Sequence, residues 1–255
     1  MFEPQNRLEE SLVKATTQPE SRAQFYRDFL ESELYLLPHG EVPEIKDGAL
    51  QTGSQVAFQA IAIEGKTWLP VFSSLPRLQA ALEDERSYLR MAARNFLELT
   101  RGADIMLNPG SEYGKEFVAS EIAGLLDGSI FGPESQHVVE RDTEVLLGEP
   151  ARYPQALVEA LQRLYPRLPM VKAAWLTQIF NPDRDESAGL LIAIEATGDW
   201  DRVVGESGIT SRGLTPDHAY LDYIRLDGST LQAYFRGKKP FYKKSLLGSL
   251  FRRGE

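Results

Sequence analysis

Two long apolar runs in the second half of the chain constrain the fold more than any other feature. Met170–Phe180 and Gly189–Ala196 are mostly apolar and contain no proline, and the polar segment Asn181–Ser187 separates them. Apolar runs that are bounded by polar turns are typical of buried strands. We therefore predict two long strands joined by a solvated turn.

The elements that surround these strands complete a known order. They are a strand at Glu144–Leu147, a helix at Pro154–Tyr165, a weaker helix at Asp199–Ile209, and two strands, Ala219–Arg225 and Ser229–Phe235, on either side of Asp227-Gly228. Asp-Gly between two such runs predicts a tight hairpin. The order β-α-β-β-α-β with one further strand predicts a ferredoxin-like domain with an extra strand.

The first half predicts a mixed α/β sheet domain. Asn6 is placed to cap the first of two N-terminal helices. The other predicted elements are a hairpin of Gln55–Ile63 with Lys66–Phe72, a helix at Arg86–Thr100, a strand at Ala103–Leu107 and a helix at Glu116–Leu126. The fold class is therefore α+β with two domains.

Length and composition agree with two globular domains. The chain has 255 residues, of which 42% are hydrophobic and 25% are charged. These values are ordinary for folded proteins, and the length exceeds that of a common single domain. We predict an N-terminal domain at 1–132, a linker at 133–145, a C-terminal domain at 146–237 and a basic tail at 238–255.

Most familiar catalytic and metal-binding devices are missing from the sequence. There is no cysteine, and the three histidines, His39, His137 and His218, lie far apart. No nucleophile elbow, P-loop or dinucleotide fingerprint is present. We predict no catalytic residue, no metal site and no cofactor. The absence of a signal peptide and of a long apolar segment predicts a cytoplasmic protein with no membrane span.

One turn could bind a ligand. Leu107–Lys115 is predicted to lie between a strand and a helix, where free backbone amides attract anions. A plain connecting turn explains the same residues. The candidate ligand-binding residues are Asn108, Gly110, Ser111 and Lys115 in this turn, with Ser73, Ser74 and Arg77 from the segment that follows the predicted hairpin.

The tail is basic, whereas the whole chain is acidic. Seven bases and no acid fall within Arg236–Arg253, although the net charge is −9. The acidic body argues against nucleic-acid binding. The tail could fold back on its own body, dock on a partner protein, or touch anionic lipid or nucleic acid. The candidate partner-binding residues are Lys238, Lys239, Phe241, Tyr242, Lys243, Lys244, Leu247 and Phe251.

Three segments resemble a known family. They are Trp68–Arg77 (WLPVFSSLPR), Ile105–Ser111 (IMLNPGS) and Lys239–Lys243 (KPFYK). With the element order of the second half, they resemble the enhanced serine sensitivity, or SseB, family. The resemblance implies a bacterial protein with an N-terminal and a C-terminal SseB domain. It brings no catalytic residues with it.

The leading functional hypothesis is a non-enzymatic cytoplasmic accessory or regulatory protein that binds a partner protein and is linked to serine sensitivity by the family resemblance. One alternative is a small-molecule or anion sensor, or an unrecognised enzyme, that uses the Asn108–Lys115 turn. A second alternative is a toxin-neutralising immunity protein. The partner's identity and the oligomeric state do not follow from the sequence.

Overall fold

A computed structural model describes residues 2–40, 56–132, 145–182, 188–216 and 219–245, with the backbone alone of 45–46 and 49–50. The chain divides into two compact units, Met1–Ile130 and Phe131–Glu255. Of the predicted linker at 133–145, only Val145 lies in the described part, so the predicted domain bounds stay a prediction. No helix in these described ranges is long and apolar enough to cross a membrane.

Five helices occur among the described residues of the first unit. They are α1 (Arg7–Thr17), α2 (Arg22–Glu31), α3 (Leu75–Ala80), α4 (Ala93–Leu99) and α5 (Ala119–Asp127), with a 3-10 turn at Pro19–Ser21. Asn6 caps α1 as predicted, because its side chain accepts a hydrogen bond from the Glu9 amide at 3.0 Å.

A mixed sheet forms the other layer of the first unit. Its strands are β1 (Glu33–Leu36), β4 (Ile61–Ile63), β5 (Lys66–Phe72), β6 (Leu89–Ala92), β7 (Ile105–Leu107) and β8 (Lys115–Phe117), while β2 (Ile45–Lys46) and β3 (Ala49–Leu50) pair separately. The main order is β6-β1-β5-β7-β8, and β4 pairs with β5. The β5–β7 pair is parallel and the other pairs are antiparallel.

Aromatic side chains fill the core between this sheet and its helices. The rings of Phe29 and Phe117 stack with centroids 4.5 Å apart, and Phe25 stacks on Phe117 at 6.2 Å. Leu34, Val71 and other buried apolar side chains join them. Such burial stabilises a fold by about 25 cal/mol for each Å² of apolar surface removed from water.

The helix predicted at Arg86–Thr100 is wrong in its first half. Residues Leu89–Ala92 form β6, which pairs with β1 from Leu36↔Leu89 to Glu33↔Ala92. Helical spacing of apolar residues is only a local preference, and sheet pairing overrides it here. The helix predicted at Glu116–Leu126 likewise begins later, at Ala119, because Lys115–Phe117 forms β8.

The second unit follows the predicted element order from its first strand to the strand that ends at Arg225. Its elements are β9 (Leu146–Gly148), α6 (Gln155–Leu164), β10 (Val171–Phe180), β11 (Gly189–Ala196), α7 (Trp200–Ser211), β12 (Leu221–Arg225), α8 (Gln232–Phe235) and β13 (Tyr242–Lys243), with a 3-10 turn at Tyr165–Arg167. Another 3-10 turn, Ser129–Phe131, spans the boundary between the units. The α+β class and the two-domain layout are confirmed.

Strand pairing in this unit differs from the ferredoxin-like pattern. The order is β12-β11-β10-β13, and β9 also pairs with β10. The strands of each β-α-β segment are direct neighbours, antiparallel for β9–β10 and parallel for β11–β12. A ferredoxin-like sheet instead splits each such segment with another strand. Element order alone could not distinguish these two arrangements.

The hairpin predicted around Asp227-Gly228 is wrong. Gly228 does form a turn with φ +79°, but Gln232–Phe235 is the helix α8. Phe235 and Leu226 pack with Ala193 on one face of the sheet. The segment that contains Phe235 therefore covers this face as a helix and does not pair with the sheet as a strand. The extra strand comes later, as β13, which pairs with β10 through Ala174↔Tyr242 and Ala173↔Lys243.

Candidate functional site

The parallel pair β5–β7 brings two predicted ligand-binding segments to one edge of the first sheet. Val71 pairs with Leu107, and the Asn108 amide donates a hydrogen bond to the Val71 carbonyl at 2.8 Å. Ser73 and Asn108 therefore lie side by side beyond the carboxyl ends of the two strands. Open α/β sheets commonly bind ligands at this edge.

Asn108 joins the two segments. Its Oδ1 accepts a hydrogen bond from the Ser73 amide at 2.9 Å, and its Nδ2 donates to the Ser73 hydroxyl at 2.8 Å. Its φ is +52°, a left-handed conformation that asparagine tolerates better than most residues. Gly114 closes the turn tightly, because an added Cβ would lie 2.7 Å from the Leu107 carbonyl oxygen.

A buried carboxylate organises this edge. The hydroxyls of Ser73 and Ser74 each donate to Oε1 of Glu9 at 2.7 Å. The Gln5 amide donates to Oε2 at 2.9 Å, and Arg77 donates to Oε2 from Nη2 at 3.1 Å and Nε at 3.3 Å. We call this group the Glu9 cluster, with members Asn6, Glu9, Ser73, Ser74, Arg77 and Asn108.

The Glu9 carboxylate is fully buried and charged. Burial by itself would raise the pKa of this carboxyl. Hydrogen bonds from Ser73, Ser74, the Gln5 amide and Arg77 outweigh burial and hold the pKa of Glu9 below its ordinary value. Hydrogen bonds from several donors stabilise the charged form of a buried carboxylate.

Residues 2–5 cover the arginine of the cluster. The Phe2 ring lies 3.6 Å from the Arg77 guanidinium carbon and 5.0 Å from the Tyr113 ring. The Phe2 amide donates to Glu112 at 3.0 Å, and the Glu3 carbonyl accepts from Nη2 of Arg77. The guanidinium is therefore held in one orientation.

The predicted ligand-binding residues separate into three groups. Ser73, Ser74 and Asn108 are buried, and their side chains bind within the Glu9 cluster. Lys115 pairs with Glu121 at 2.9 Å and lies 4.8 Å from the Phe117 ring centroid. Gly110, Ser111 and Arg77 line an open concavity. Whether any of them binds a ligand stays a prediction.

The Leu107–Lys115 turn does not connect a strand to a helix as the sequence predicted. The turn leads into β8, an antiparallel strand, and not into a helix. Its amides therefore do not lie at a helix N-terminus, and the strand-to-helix interpretation was wrong.

Sequence reasoning missed Glu9 and the second role of Asn6. Besides capping α1, Asn6 donates to the Ser73 carbonyl at 2.8 Å. The spacing Asn6-x-x-Glu9 is that of a capping box, which was a usable signal for an organised helix start. The hydrogen bond between Ser73 and Glu9 joins residues that are 64 positions apart, so it forms only when the sheet has folded.

We call the open concavity beside Arg77 the sheet-end concavity. Its volume is about 600 Å³. Leu37, Pro70 and Phe72 contribute apolar surface, and charged side chains of both signs stand around them: Arg77, Glu83, Asp84 and Arg86.

The first part of the tail belongs to the second sheet. The Phe241 amide donates to the Ala174 carbonyl at 2.9 Å, and the Lys244 amide donates to the Lys172 carbonyl at 2.7 Å. Phe241 and Tyr242 pack on the buried Tyr165 ring, at centroid distances of 6.1 and 5.4 Å. These two predicted partner-binding residues therefore lie against the core.

The basic side chains of the same segment have different surroundings. Lys238 pairs with Glu149 at 3.0 Å and lies over the Tyr234 ring, and Lys244 donates to the Pro169 carbonyl at 2.7 Å. Arg236, Lys239 and Lys243 are exposed and make no ion pair within the described residues. We call these three the basic edge. Leu247 and Phe251 lie outside the described residues.

No cluster of metal-ligating side chains occurs in the part of the chain that the structure describes.

Comparisons with known proteins cover both units. The SseB protein N-terminal domain matches residues 8–124, and the SseB protein C-terminal domain matches residues 139–244. Protein SseB of Escherichia coli (strain K12) is 32% identical over 230 residues, which are 89% of this chain and 86% of that protein. Protein SseB of Shigella flexneri gives the same values. No solved structure matches the chain.

Proposed function

The chain belongs to the SseB family, and from this premise we propose that it is a non-enzymatic accessory protein that binds an acidic partner protein through the basic edge. A cytoplasmic location stays part of this proposal, as does the family's link to serine sensitivity. The observation that carries the proposal is the division of the tail segment into partly buried aromatic residues, which pack against the core, and exposed cations that make no ion pair within the described residues.

The aromatic residues hold the basic edge in place. Besides the β13 pairing, Gln162 donates to the Phe241 carbonyl at 2.7 Å, and the Trp175 indole donates to the Lys238 carbonyl at 3.0 Å. A backbone that is fixed in this way loses little conformational entropy when a partner binds. Lys243 is therefore presented from the strand β13, and Lys239 from the anchored segment that leads into it.

Charge favours an acidic partner. The basic edge carries three cations that form no ion pair in the part of the chain that the structure describes, and the net charge of the whole chain is −9. Complementary charge steers association and selects among partners, and it weakens with added salt. The Glu9 cluster favours protein binding over ligand binding at that site. Ser73, Ser74 and Asn108 already form hydrogen bonds within the cluster and are not available to a ligand.

Lysines on an edge strand have a second known use. Charged side chains and proline blunt the open edge of a sheet and prevent it from pairing with another copy. Lys239, Pro240 and Lys243 have this composition. The experiment must therefore separate partner binding from protection against self-association.

The test begins with capture from a bacterial lysate by the full chain, and each candidate partner is then purified. Calorimetry compares wild type, the double variant Lys239→Glu/Lys243→Glu, and the control Lys66→Glu/Arg101→Glu, which changes the same charge on exposed residues of the first unit. We expect the double variant to weaken a direct complex by at least about tenfold and the control to leave it unchanged.

Two outcomes would overturn the proposal. One is that no purified protein binds, or that all three forms bind equally. The other is that the double variant self-associates in size-exclusion chromatography while partner binding persists, which assigns the lysines to edge protection. A toxin would be a special case of the partner, and a toxin gene beside this chain's gene would favour the immunity alternative.

A further inference from the structure

The sheet-end concavity lies in the first unit and is independent of the basic edge. Phe72, at the carboxyl end of β5, and Pro109, two residues beyond the end of the parallel strand β7, both line it. Its volume of about 600 Å³ is within the usual range for small-molecule sites. Position and size therefore make it a candidate site.

Apolar side chains supply one part of its surface. Leu37 and Phe72 are buried with Leu78 in a small cluster, and Pro70 and Ile61 extend the same surface. Leu78 belongs to α3, so the cluster joins this helix to the strand β5 that carries Phe72. A hydrocarbon group would lose contact with water on this surface.

Arg77 supplies a fixed cation. Its Nε and Nη2 are bonded to Glu9 and Glu3, while its Nη1 has no hydrogen-bond partner in the described part of the chain. The side chain is 18% exposed. A guanidinium that is already oriented and keeps free donors is well suited to a carboxylate. Arg86, which is exposed, adds a second cation to the lining.

Acidic side chains share the same rim. Glu83 and Asp84 line the concavity and are exposed. The Glu9 carboxylate also neutralises most of the charge of Arg77. A bare anion would therefore meet about as much repulsion as attraction, whereas a molecule with both charges would find a partner for each.

We propose that the sheet-end concavity binds a small zwitterion with an apolar body. Arg77 and Arg86 receive its carboxylate, Glu83 and Asp84 receive its ammonium group, and Leu37, Pro70 and Phe72 contact its hydrocarbon part. Ser111, which also lines the concavity, offers a hydroxyl to either polar group.

The test uses three probes that share one hydrocarbon body. L-leucine carries both charges, 3-methylbutylamine lacks the carboxylate, and 4-methylpentanoate lacks the ammonium group. Binding to the full chain is followed by shifts of the Gly110 and Ser111 amide signals in two-dimensional NMR spectra. We expect L-leucine to bind at least about tenfold more tightly than either analogue, since each analogue leaves one set of charges unpaired.

Two variants locate the site. Arg86→Ala should weaken L-leucine binding by about tenfold, because a charged hydrogen bond is lost. Arg90→Ala is the control, since Arg90 is an exposed arginine of the same unit that pairs with Glu33 and does not line the concavity. Arg77 is left intact because it also stabilises Glu9.

The outcomes are distinct. If both analogues bind as tightly as L-leucine, the site is apolar and the zwitterion proposal is wrong. If none of the probes shifts the Gly110 and Ser111 signals at up to about 10 mM, the concavity is not a site for this class of ligand. Neither result bears on the basic edge, whose test uses no small molecule.

Discussion

Glu9 and Arg77, which are 68 residues apart, form an ion pair in which the carboxylate is fully buried and the guanidinium is 18% exposed. The pair joins α1 to the segment that follows β5. Removing one partner of a buried pair leaves the other without compensation, and this costs several kcal/mol. The stability of the first unit should therefore depend on Glu9.

We predict that Glu9→Gln lowers the free energy of unfolding by about 2–4 kcal/mol. The amide keeps the shape of the side chain but cannot accept from Ser73, Ser74 and Arg77 as a carboxylate does. Glu10→Gln is the matched control, because Glu10 is the exposed neighbour on the same helix. Urea unfolding measures both. Equal losses in the two variants would show that the buried pair contributes nothing.

The pH dependence should follow the lowered pKa of Glu9. A carboxyl whose folded-state pKa lies below its unfolded value, about 4.3, contributes stability that is fully present above that value. The contribution is lost as pH falls through the folded-state pKa. Wild type should therefore lose more stability than Glu9→Gln between neutral and acidic pH. Parallel urea midpoints for the two proteins across that range would contradict this.

Asn108 allows backbone conformation to be separated from hydrogen bonding. Asn108→Gly and Asn108→Ala both remove the bonds to Ser73, but only glycine adopts φ +52° without a steric cost. We predict that alanine is the more destabilising of the two by about 1 kcal/mol. Urea unfolding of the pair gives the difference directly. If the two variants have the same free energy of unfolding, the left-handed conformation is not maintained at this position.

The long elements of the second unit could be predicted because their signals are local. Val171–Phe180 and Gly189–Ala196 are strands where the apolar runs indicated, and Gln155–Leu164 is a helix with its apolar stripe buried. Each pattern extends over enough residues to determine the type of element. The cap at Asn6 was predictable for the same reason.

Short strands and clusters of residues distant in sequence could not be predicted in the same way. β13 has only two residues. Its neighbours in the sequence are basic residues and a proline, which gave no indication that Phe241 and Tyr242 pack on Tyr165. The Glu9 cluster forms only when β5 and β7 lie side by side. Ser73 and Asn108 were grouped correctly because both follow strands, but nothing near Glu9 in the sequence points to either of them.

Tyr165 should tolerate the loss of its hydroxyl. The ring is fully buried, and its hydroxyl has no hydrogen-bond partner of normal geometry in the described residues. Burial raises the pKa of Tyr165, and the nearby Ser207 hydroxyl offsets this only in part. Ser207 itself donates to the Val203 carbonyl at 2.6 Å.

We therefore predict that Tyr165→Phe is neutral or stabilises by up to about 1 kcal/mol, because an unpaired buried hydroxyl is removed. Tyr223→Phe is the contrast, since the Tyr223 hydroxyl lies 2.6 Å from that of Ser211. That variant should lose about 1 kcal/mol. Thermal and urea unfolding of the two variants provide the comparison, and a larger loss for Tyr165→Phe than for Tyr223→Phe would contradict it.

The two glycines within α7 should respond in opposite directions to substitution by alanine. At Gly205 a Cβ would lie 1.6 Å from the Phe131 carbonyl oxygen, so either the helix or that carbonyl must move. At Gly208 a Cβ would meet nothing within 4 Å. We predict a loss of about 2 kcal/mol or more for Gly205→Ala. For Gly208→Ala we predict a gain of about 0.5–1 kcal/mol, because alanine has the higher helix propensity. Urea unfolding of the two variants tests both, and a stabilising Gly205→Ala would show that Phe131 does not pack against α7.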